Sequence, residues 1–459
     1  MSRLIIVSNR VAPISEGGMA AGGLAVGVYD ALKETGGMWF GWSGEVANTP
    51  PHAPKIEERG PVTFATVSLT RRDYDQYYRG FSNDTLWPTF HYRSDLTHYD
   101  RHEFDGYQRV NAWLAHQLIP LIRPDDVIWV HDYHLIPFAE ALRQEGVTNR
   151  IGFFLHIPFP ASQVLVTVPP HERLVRALCC YDVVGVQTEP DLRALRDYLE
   201  HEARGTVSDD GLVQAYGREL RIGAYPIGIY PDELATLARE GQDGRHLKNL
   251  RQTMHERRLI VSVDRLDYSK GLVERFRAFE KLLEMAPNHR AQVSFIQIAP
   301  PTRSDIQSYQ QIRLQLEAES GRINGRFAEM DWTPIRYLHR QFERAVLASL
   351  FREAHVGYVT PLRDGMNLVA KEYVAAQDPD DPGVLVLSRF AGAAQELDGA
   401  LIVNPIDVAG MAEALDHALG MPLDERRERY QRMMEVLCRN NVSVWRDTFL
   451  RDLRAVRQA

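Results

Sequence analysis

The sequence predicts an α/β protein with two doubly wound parallel sheets, and three observations lead to that class. Short, near-continuous apolar runs such as VIWV, IGFFL and LIVSV recur along the chain, as is typical of parallel strands buried on both faces. Segments with helical spacing of apolar residues lie between them, and this alternation indicates βαβ units. The runs number about ten, and a single open sheet of that size would be strained.

Five strands are predicted in the first half of the chain: Leu4–Arg10, Val127–Asp132, Ile151–His156, Val183–Thr188 and Ile222–Ile227. Five more are predicted in the second half: Leu259–Arg265, Val293–Ala299, Val356–Pro361, Val384–Ser388 and Ala400–Asn404. Apolar residues recur with helical spacing from Tyr107 to Leu121 and from Leu272 to Leu283, so a helix is predicted in each of these segments.

A polar stretch without a strand signal, Ile229–Arg258, separates the two sets of strands. It predicts an N-terminal domain of residues 1–230 and a C-terminal domain of residues 231–459. Two Rossmann-like domains are then expected to face each other across a cleft, with the option that the last helix packs back on the N-terminal domain. Asn48–Pro61 contains four prolines and no hydrophobic periodicity, so it is predicted to be a loop.

Composition excludes several classes of protein. The 459 residues include 53 Lys and Arg against 61 Asp and Glu, a formal charge of −8, so the chain lacks the basic surplus typical of nucleic-acid binding. No apolar run reaches the ~18 residues of a membrane helix, and the first apolar run is too short for a signal peptide. Three cysteines without a CxxC pair exclude a disulfide scaffold and indicate a reducing compartment. We therefore expect a soluble cytoplasmic enzyme without nucleic-acid or membrane partners, and leave a homodimer or homotetramer open.

Ligands of doubly wound sheets bind beyond the carboxyl ends of the strands, so the residues at those ends are candidates for the site. Arg10, Asp132, His156 and Arg265 end predicted strands, and Arg303 lies just past another. Three arginines at such positions in an acidic chain indicate a phosphorylated ligand, because a guanidinium binds phosphate through two hydrogen bonds. The alternative is that each arginine only pairs with a surface carboxylate.

The segment PLRDGMNLVAKEYVAAQ is the most informative part of the sequence. Its Gly365 permits a sharp turn, and a helix is predicted over Asn367–Gln377. Backbone N–H groups of Gly365–Val369 would then point at an anion, aided by the helix dipole. Asp364 would repel a phosphate, so it is expected to accept hydrogen bonds from sugar hydroxyls, and Glu372 to do the same for a ribose. The alternative is an Asp N-cap followed by a solvated helix face.

A second connection, VDRLDYSKG, places Arg265 and Lys270 close together. Two cations there would clamp a diphosphate and stabilise the charge on it as it leaves. The alternative is an Arg265–Asp267 pair and an exposed Lys270. The glycine-rich AAGGLAVG after the first strand would let backbone approach a phosphate. The chain has neither GxGxxG nor a Walker motif, which disfavours a dinucleotide oxidoreductase and an NTPase.

No metal site is predicted. His131 and His134 in HDYH resemble a metal-binding pair, but their spacing places no third ligand, so a structural role is expected for both. Asp73 and Asp75 have the spacing of a metal-dependent transferase motif, but they do not follow a buried strand.

The chain resembles the bacterial trehalose-6-phosphate synthases in strings that span nearly its whole length in family order: SNR, AGGLAVG, WFGWSGE, FSNDTLWPTFHY, WVHDYHLIPFA, GFFLHIPFP, YPIGI, RLDYSKGL, RINGRF, TPLRDGMNLVAKEYVAAQ and VLVLSRFAGAAQEL. The resemblance implies a GT-B fold and a retaining, metal-independent glycosyltransferase without cofactors. It implies transfer of glucose from UDP-glucose to C1 of glucose 6-phosphate, which yields α,α-trehalose 6-phosphate and UDP.

For the donor, the resemblance implies that Arg265 and Lys270 hold the diphosphate and that Glu372 binds the ribose. Phe342 is implied to lie beside the uracil. The remaining implied donor contacts come from two glycine-containing segments: Gly22 and Gly23 in the first, and Asp364, Gly365, Met366, Asn367, Leu368 and Val369 in the second.

For the acceptor, the resemblance implies that Arg10 and Arg303 contact the phosphate with help from Tyr78. Asp132 is implied to bind hydroxyls in a pocket that Trp87 lines. His156 is implied to lie near the reacting sugar, and with Arg265, Lys270 and Asp364 it forms the implied catalytic set.

Retention without an obvious protein nucleophile indicates front-face displacement, in which the donor phosphate accepts the acceptor's proton. Double displacement through Asp364 stays open. Three other functions are alternatives: a transferase for another nucleotide sugar or for an acceptor such as glycerol phosphate, a non-catalytic sugar-phosphate sensor, and a glycosidase with paired carboxylates. The last explains neither the arginines nor the anion site.

Overall fold

The computed structural model describes residues 2–11, 14–15, 18–19, 29, 32–33, 36–254, 257–303 and 305–456. The chain forms two compact units, the first made of Met1–Ile227 and Ser443–Ala459 and the second of Gly228–Val442. The predicted division falls after residue 230, and the C-terminal segment belongs to the first unit. Each unit contains one large sheet that is mainly parallel, so the predicted α/β class with two parallel sheets is confirmed.

The strands of the first unit are β1 (Leu4–Arg10), β2 (Ile14–Ser15), β3 (Gly18–Met19), β4 (Gly37–Ala47), β5 (Lys55–Arg59), β6 (Val62–Thr70), β7 (Val127–His131), β8 (Ile151–Phe154), β9 (Val183–Val186), β10 (Thr206–Val207), β11 (Leu212–Ala215) and β12 (Arg218–Ala224). Ten of them form one sheet in the order β10-β11-β12-β9-β8-β7-β1-β4-β6-β5, and β2 pairs with β3. The pairs from β12 to β6 are parallel. The outer strands β5, β10 and β11 pair antiparallel.

The loop prediction for Asn48–Pro61 is wrong, because β5 lies inside it and pairs antiparallel with β6. β5 has the sequence KIEER, and four of its five residues are exposed. An edge strand with charged side chains shows no hydrophobic alternation, so its sequence looks like a loop. The sheet is therefore larger than the five strands predicted for it: β4, β6 and β5 extend it beyond β1, and β11 and β10 extend it beyond β12.

The helices of the first unit alternate with its parallel strands: Arg71–Asp73, the π-helix Tyr74–Leu86, Trp87–Phe90, Arg101–Leu118, Phe138–Gln144, Ser162–Leu165, His171–Leu178, Glu189–His201 and Val442–Ala455, with 3₁₀ turns at Ile119–Leu121 and Tyr133–Leu135. The helix predicted from Tyr107 to Leu121 is Arg101–Leu118 with the first of these turns. The C-terminal helix packs on the sheet, where Phe449 stacks on Trp129 at 4.8 Å. A Cβ on Gly152 would lie 2.7 Å from the Phe449 ring, so glycine is required there.

The second unit holds β13 (Arg258–Val263), β14 (Val293–Ile298), β15 (Ile335–Leu338), β16 (Val356–Val359), β17 (Val384–Ser388) and β18 (Leu401–Val403), all parallel, in the order β15-β14-β13-β16-β17-β18. Its α-helices are Pro231–Glu240, Arg245–Met254, Leu272–Met285, Gln307–Phe327, Arg344–Glu353, Leu368–Ala376, Val408–Gly420 and Leu423–Arg439. Single 3₁₀ turns lie at Gly241–Asp243, Tyr268–Lys270, Pro287–His289 and Gly392–Gln395. Phe276, Phe279 and Phe295 are buried together in its core.

Candidate active site

The carboxyl ends of β1, β7 and β8 bring three predicted residues to one edge of the first sheet. Ser8 pairs with His131, and His131 with Phe154, so the three strands end in register. Arg10, Asp132 and His156 therefore emerge together beyond this edge. Arg10 is exposed, whereas Asp132 and His156 are half-buried.

Asp132 has an unusual backbone conformation, with φ of 79°. This region is sparsely populated by residues other than glycine, and such strain is concentrated at functional sites. Its amide donates to the carbonyl of Phe154 at 2.8 Å, and its carboxylate oxygen accepts the backbone N–H of His156 at 3.3 Å. The ends of β7 and β8 are thus joined through Asp132.

The rings of His156 and His131 contact each other: Nε2 of His156 lies 3.0 Å from Nδ1 of the buried His131. Burial lowers the pKa of His156 to about 3, and burial together with His156 lowers the pKa of His131 well below its usual value. Both rings are therefore neutral near pH 7. The sequence analysis predicts a structural role for His131, but it does not predict that the His131 ring contacts His156.

An aromatic cluster surrounds Tyr78. The Tyr78 ring stacks on His134 with centroids 5.8 Å apart and lies 5.4 Å from Trp42. Tyr78 belongs to the π-helix, whose neighbouring Tyr77 donates a hydrogen bond to Asn9 at 2.9 Å. π-helical turns are rare and occur frequently at functional sites. The cluster is therefore tied to the end of β1, next to Arg10.

Trp87, which the resemblance implies to line the acceptor pocket, is almost completely buried. Its side chain is only 3% exposed and packs against His91 at 4.1 Å and Tyr133 at 5.7 Å. An indole in that position is a core residue beneath Tyr133. Trp87 therefore supports the neighbourhood of Asp132 and presents almost no surface of its own.

In the second unit, the turn after β13 places Lys270. Asp267 accepts the backbone N–H of Ser269 at 2.9 Å, and Gly271 adopts φ of +64°. A Cβ on Gly271 would lie 2.4 Å from the carbonyl oxygen of Thr360, so only glycine fits. This turn directs Lys270 inward, where its side chain is 9% exposed. The alternative that Lys270 is exposed is therefore wrong.

Three donors meet at the carboxylate of Asp364. Lys270 Nζ lies 2.5 Å from Oδ2, Asn367 Nδ2 lies 2.9 Å from the same oxygen, and the amide of Gly365 donates to Oδ1 at 3.0 Å. The alternative that Asp364 is only an N-cap is wrong, because Asn367 caps the helix and accepts the amide of Ala370 at 3.2 Å. The helix predicted over Asn367–Gln377 is confirmed. It spans Leu368–Ala376, with Asn367 as its N-cap and Gln377 as its C-cap.

The amides predicted to face an anion run from Gly365 to Val369, and the first of them bonds to the Asp364 carboxylate. Because the Gly365 amide already bonds to Asp364, the segment that can face an anion begins at Met366 and continues through Asn367, Leu368 and Val369. The Gly365 carbonyl would lie 1.9 Å from a Cβ on Gly392, so these two backbones touch.

A buried ion pair lies beneath this cluster, and the sequence analysis did not identify it. The guanidinium of Arg275 is fully buried and lies 2.7 Å from Asp264, the residue before Arg265. Arg275 also donates to Thr360 at 3.0 Å and bonds Ser262. The pair joins the ends of β13 and β16. The sequence feature that could have revealed it is the position of Arg275 among the apolar residues of the helix Leu272–Met285.

The side chains predicted for the nucleoside lie in the same unit. Phe342 is half-buried, with the Arg340 guanidinium 4.5 Å from its ring centroid and the His246 ring at 5.8 Å. Glu372 is half-buried on the helix Leu368–Ala376. Burial raises the pKa of Glu372 to about 7, and Arg344 opposes this only in part.

Arg265 is exposed, but Arg303 is not a simple surface arginine. The Arg303 side chain is 5% exposed, lies 3.7 Å from Asp267, and bonds the hydroxyl of Tyr309. Its φ of +46° falls in the left-handed region. Its charge is therefore already matched by the carboxylate that shapes the Lys270 turn.

Gly22 and Gly23 lie outside the described residues. In the part of the chain that the structure describes, no group of three His, Cys, Asp or Glu side chains is placed to hold a metal ion. Among those residues no helix is both long and apolar enough to span a bilayer. All three cysteines are described, and each is a free thiol.

Comparison with known proteins gives consistent matches over the whole chain. The model of glycosyltransferase family 20 matches residues 8–455. A trehalose-6-phosphate synthase of Enterobacter sp. (strain 638) is 54% identical over 454 residues, which cover 99% of this chain and 95% of that protein.

Two solved structures also match this chain over almost all of its length. An α,α-trehalose-phosphate synthase (UDP-forming) from Burkholderia xenovorans, in complex with glucose-6-phosphate, has a TM-score of 0.96 and 71% identity over 99% of this chain and 100% of its own. A structure described as trehalose-6-phosphate from E. coli bound with UDP-2-fluoro glucose has a TM-score of 0.96 and 51% identity over both chains entirely. These likenesses confirm the GT-B class that the resemblance implied. The chain belongs to glycosyltransferase family 20.

Proposed function

We propose that this chain is a UDP-forming α,α-trehalose-phosphate synthase. It transfers glucose from UDP-glucose to glucose 6-phosphate and releases α,α-trehalose 6-phosphate and UDP. The observation that carries the proposal is the cluster of Lys270, Asp364 and Asn367 at the start of the helix Leu368–Ala376. A buried cation beside a helix N-terminus suits the diphosphate of a nucleotide sugar. Two trehalose-phosphate synthases that match 99% of this chain support the same substrates.

The second unit is proposed to bind the donor. Lys270 and Arg265 neutralise the diphosphate, and the amides from Met366 to Val369 extend this positive region. The half-buried Phe342 offers its ring to the uracil, and Glu372 accepts hydrogen bonds from the ribose. Gly22 and Gly23 are proposed to approach the donor as well.

The first unit is proposed to bind the acceptor. Arg10 binds the 6-phosphate beside Tyr78, and Asp132 accepts hydrogen bonds from the sugar hydroxyls. Arg303 is proposed to contact the acceptor phosphate as well. Because Asp267 and Tyr309 already hold Arg303, this contact requires the guanidinium to share or exchange those partners.

The proposed reaction retains configuration at C1 of the donor glucose by front-face displacement. The bond from C1 to the phosphate oxygen breaks, the acceptor O1 forms the new bond to C1, and the acceptor proton passes to the leaving phosphate. Lys270 and Arg265 stabilise the charge that grows on that phosphate. Asp364 is proposed to bind the donor sugar, and its bond to Lys270 orients both side chains. His156 is proposed to lie near the reacting sugar.

We also propose that the reaction needs no metal ion or cofactor, because protein cations and helix amides supply the positive charge at the diphosphate. The proposed location is the cytoplasm, with no nucleic-acid or membrane partner. A homodimer or homotetramer is compatible with these proposals.

Turnover assays with defined substrates test the proposed function. Purified protein is given UDP-, ADP- or GDP-glucose, each with glucose 6-phosphate, glucose or glycerol phosphate, and the product is identified by mass and anomeric configuration. We expect UDP-glucose with glucose 6-phosphate to have the highest kcat/KM, and the product to be α,α-linked. Asp364→Asn serves as the inactive control. Absence of turnover with every pair would favour the sensor, and a different best pair would favour the related transferase.

A further inference from the structure

The histidine pair at the ends of β7 and β8 has a defined hydrogen-bond polarity. His131 Nδ1 and His156 Nε2 lie 3.0 Å apart, and both rings are neutral. One nitrogen must therefore donate and the other accept, because two lone pairs or two N–H groups would repel each other. Two tautomeric arrangements satisfy this contact, and they leave different atoms of His156 for a ligand.

The other nitrogen of His131 decides between the two arrangements. His131 Nε2 is buried and has no hydrogen-bond partner among the described residues. Its ring lies between aromatic side chains, with Trp129 at 4.5 Å and Trp445 at 6.3 Å. A buried N–H without an acceptor is rarer and costlier than a buried lone pair. The proton of His131 therefore resides on Nδ1, and its Nε2 is bare.

We propose that His131 is a positioning residue that holds His156 in the Nδ1–H tautomer. His131 donates to Nε2 of His156, so His156 carries its proton on Nδ1 and presents that N–H as a neutral hydrogen-bond donor to a sugar oxygen. This inference rests on the proposed function for the identity of the ligand. It excludes His156 Nε2 as a general base, since that nitrogen is occupied by His131.

Asp132 and Trp445 also restrict the position of His156. The backbone N–H of His156 is bound by Asp132, and the Trp445 ring meets the His156 ring edge to face at 6.1 Å. Trp445 belongs to the C-terminal helix Val442–Ala455, which packs on the same sheet. The C-terminal helix thus packs against the histidine pair through Trp445.

Selective ¹⁵N labelling of histidine tests the tautomer directly. Long-range ¹H–¹⁵N spectra at neutral pH are recorded for the wild type, His131→Phe, His131→Asn and the control His289→Asn, a second-unit histidine paired with Asp416. His131→Phe keeps an aromatic ring but removes the donor, whereas the side-chain amide that His131→Asn introduces restores a donor near the Nδ1 position. We expect Nδ1–H at His156 in the wild type and in His131→Asn, and loss of that preference in His131→Phe.

Kinetics of the same variants test the positioning role. We expect His131→Phe to lower kcat by about 10- to 100-fold with smaller changes in KM, and His131→Asn to recover most of the loss, as for other residues that orient a histidine. His289→Asn should match the wild type. An Nε2–H tautomer in the wild type, or a tautomer switch in His131→Phe without loss of kcat, would overturn the proposal. If His131→Phe does not fold, the wild-type spectrum and His131→Asn still decide it. A wild type that shows Nδ1–H but lacks turnover would refute the proposed function and leave the tautomer intact.

Discussion

Lys270 shows how one side chain acquires a chemical role from its surroundings. The sequence predicts that Lys270 lies close to Arg265 and clamps a diphosphate, but it does not predict that the Gly271 turn buries Lys270 against Asp364, 94 residues further along the chain. A buried lysine requires a partner, and Asp364 provides one in the described structure. In the proposed mechanism, an incoming diphosphate replaces or shares that partner.

Replacing Lys270 tests its charge. We expect Lys270→Ala to lower kcat by about 10²–10³-fold, because the ammonium is proposed to stabilise the leaving group in the transition state. The KM for glucose 6-phosphate should change much less. Steady-state assays of purified protein measure both quantities. Lys281→Ala is the matched control, since that lysine is half exposed on the next helix. Near-normal turnover of Lys270→Ala would remove Lys270 from the mechanism.

The proposed role of Glu372 predicts that donor binding depends on pH. Burial raises the pKa of Glu372 to about 7, and only the ionised form accepts hydrogen bonds from both ribose hydroxyls. The affinity for UDP-glucose should therefore rise as the pH increases, by about tenfold between pH ~6 and pH ~8. UDP-glucose is the suitable probe because its diphosphate diester does not titrate there. Calorimetric titration without acceptor measures the Kd, and Glu372→Gln should abolish the rise. An equal pH dependence in both proteins would contradict this role for Glu372.

At the scale of elements, two short connections shape the donor half of the proposed site. The Tyr268–Lys270 turn depends on Asp267 and Gly271, and the helix Leu368–Ala376 depends on its cap Asn367. The two connections are joined by backbone, since Ser269 accepts the amide of Leu362 at 2.8 Å. A change in either connection is therefore expected to displace the Lys270–Asp364 pair.

Gly271→Ala tests this dependence. The substitution forces a Cβ to within 2.4 Å of the Thr360 carbonyl at φ of +64°, so we expect a loss of stability of at least about 2 kcal/mol. Activity should fall with it, because the turn carries Lys270. Gly321→Ala in the helix Gln307–Phe327 has open space around the new methyl group and should be neutral or stabilising. Urea unfolding followed by circular dichroism compares the two variants. Equal midpoints would show that the turn tolerates a side chain.

At the scale of the whole molecule, positive and negative charges are unevenly distributed. The chain carries −8 overall, yet arginines and lysines occupy the ends of its parallel strands. In the proposed mechanism those cations, with the amides at the start of the helix Leu368–Ala376, do the work that a divalent ion does in other transferases. The molecule can therefore bind two anionic substrates without an overall basic surface.

Chelation tests metal independence. We expect exhaustive treatment with EDTA, followed by desalting, to leave kcat within about twofold of the untreated enzyme, since no step of the proposed mechanism uses a metal. Added Mg²⁺ or Mn²⁺ should have no larger effect. The readout is UDP release in metal-free buffer. Complete inactivation that one specific metal reverses would disprove the proposal.

The sequence by itself determined what depends on local patterns. The buried strands, the residues at their carboxyl ends and the helix that begins after Asn367 follow from apolar runs, turn residues and caps, whose physical cause lies within a few residues. Not every strand was predicted: β4, β6 and β15 lie outside the predicted set. The edge strand β5 was predicted to be a loop, because a charged strand is stabilised by pairing with β6 rather than by burial.

Only the tertiary structure decided which side chains meet. The pairs Lys270–Asp364, Arg275–Asp264 and His131–His156 join different elements, and the C-terminal helix reaches the first sheet through Trp445. Such contacts depend on sheet register and on the packing of distant segments, neither of which a local pattern contains. The same packing removes Trp87 from the surface and holds Arg303 against Asp267, so the chemistry available to a residue is set by its neighbours in space.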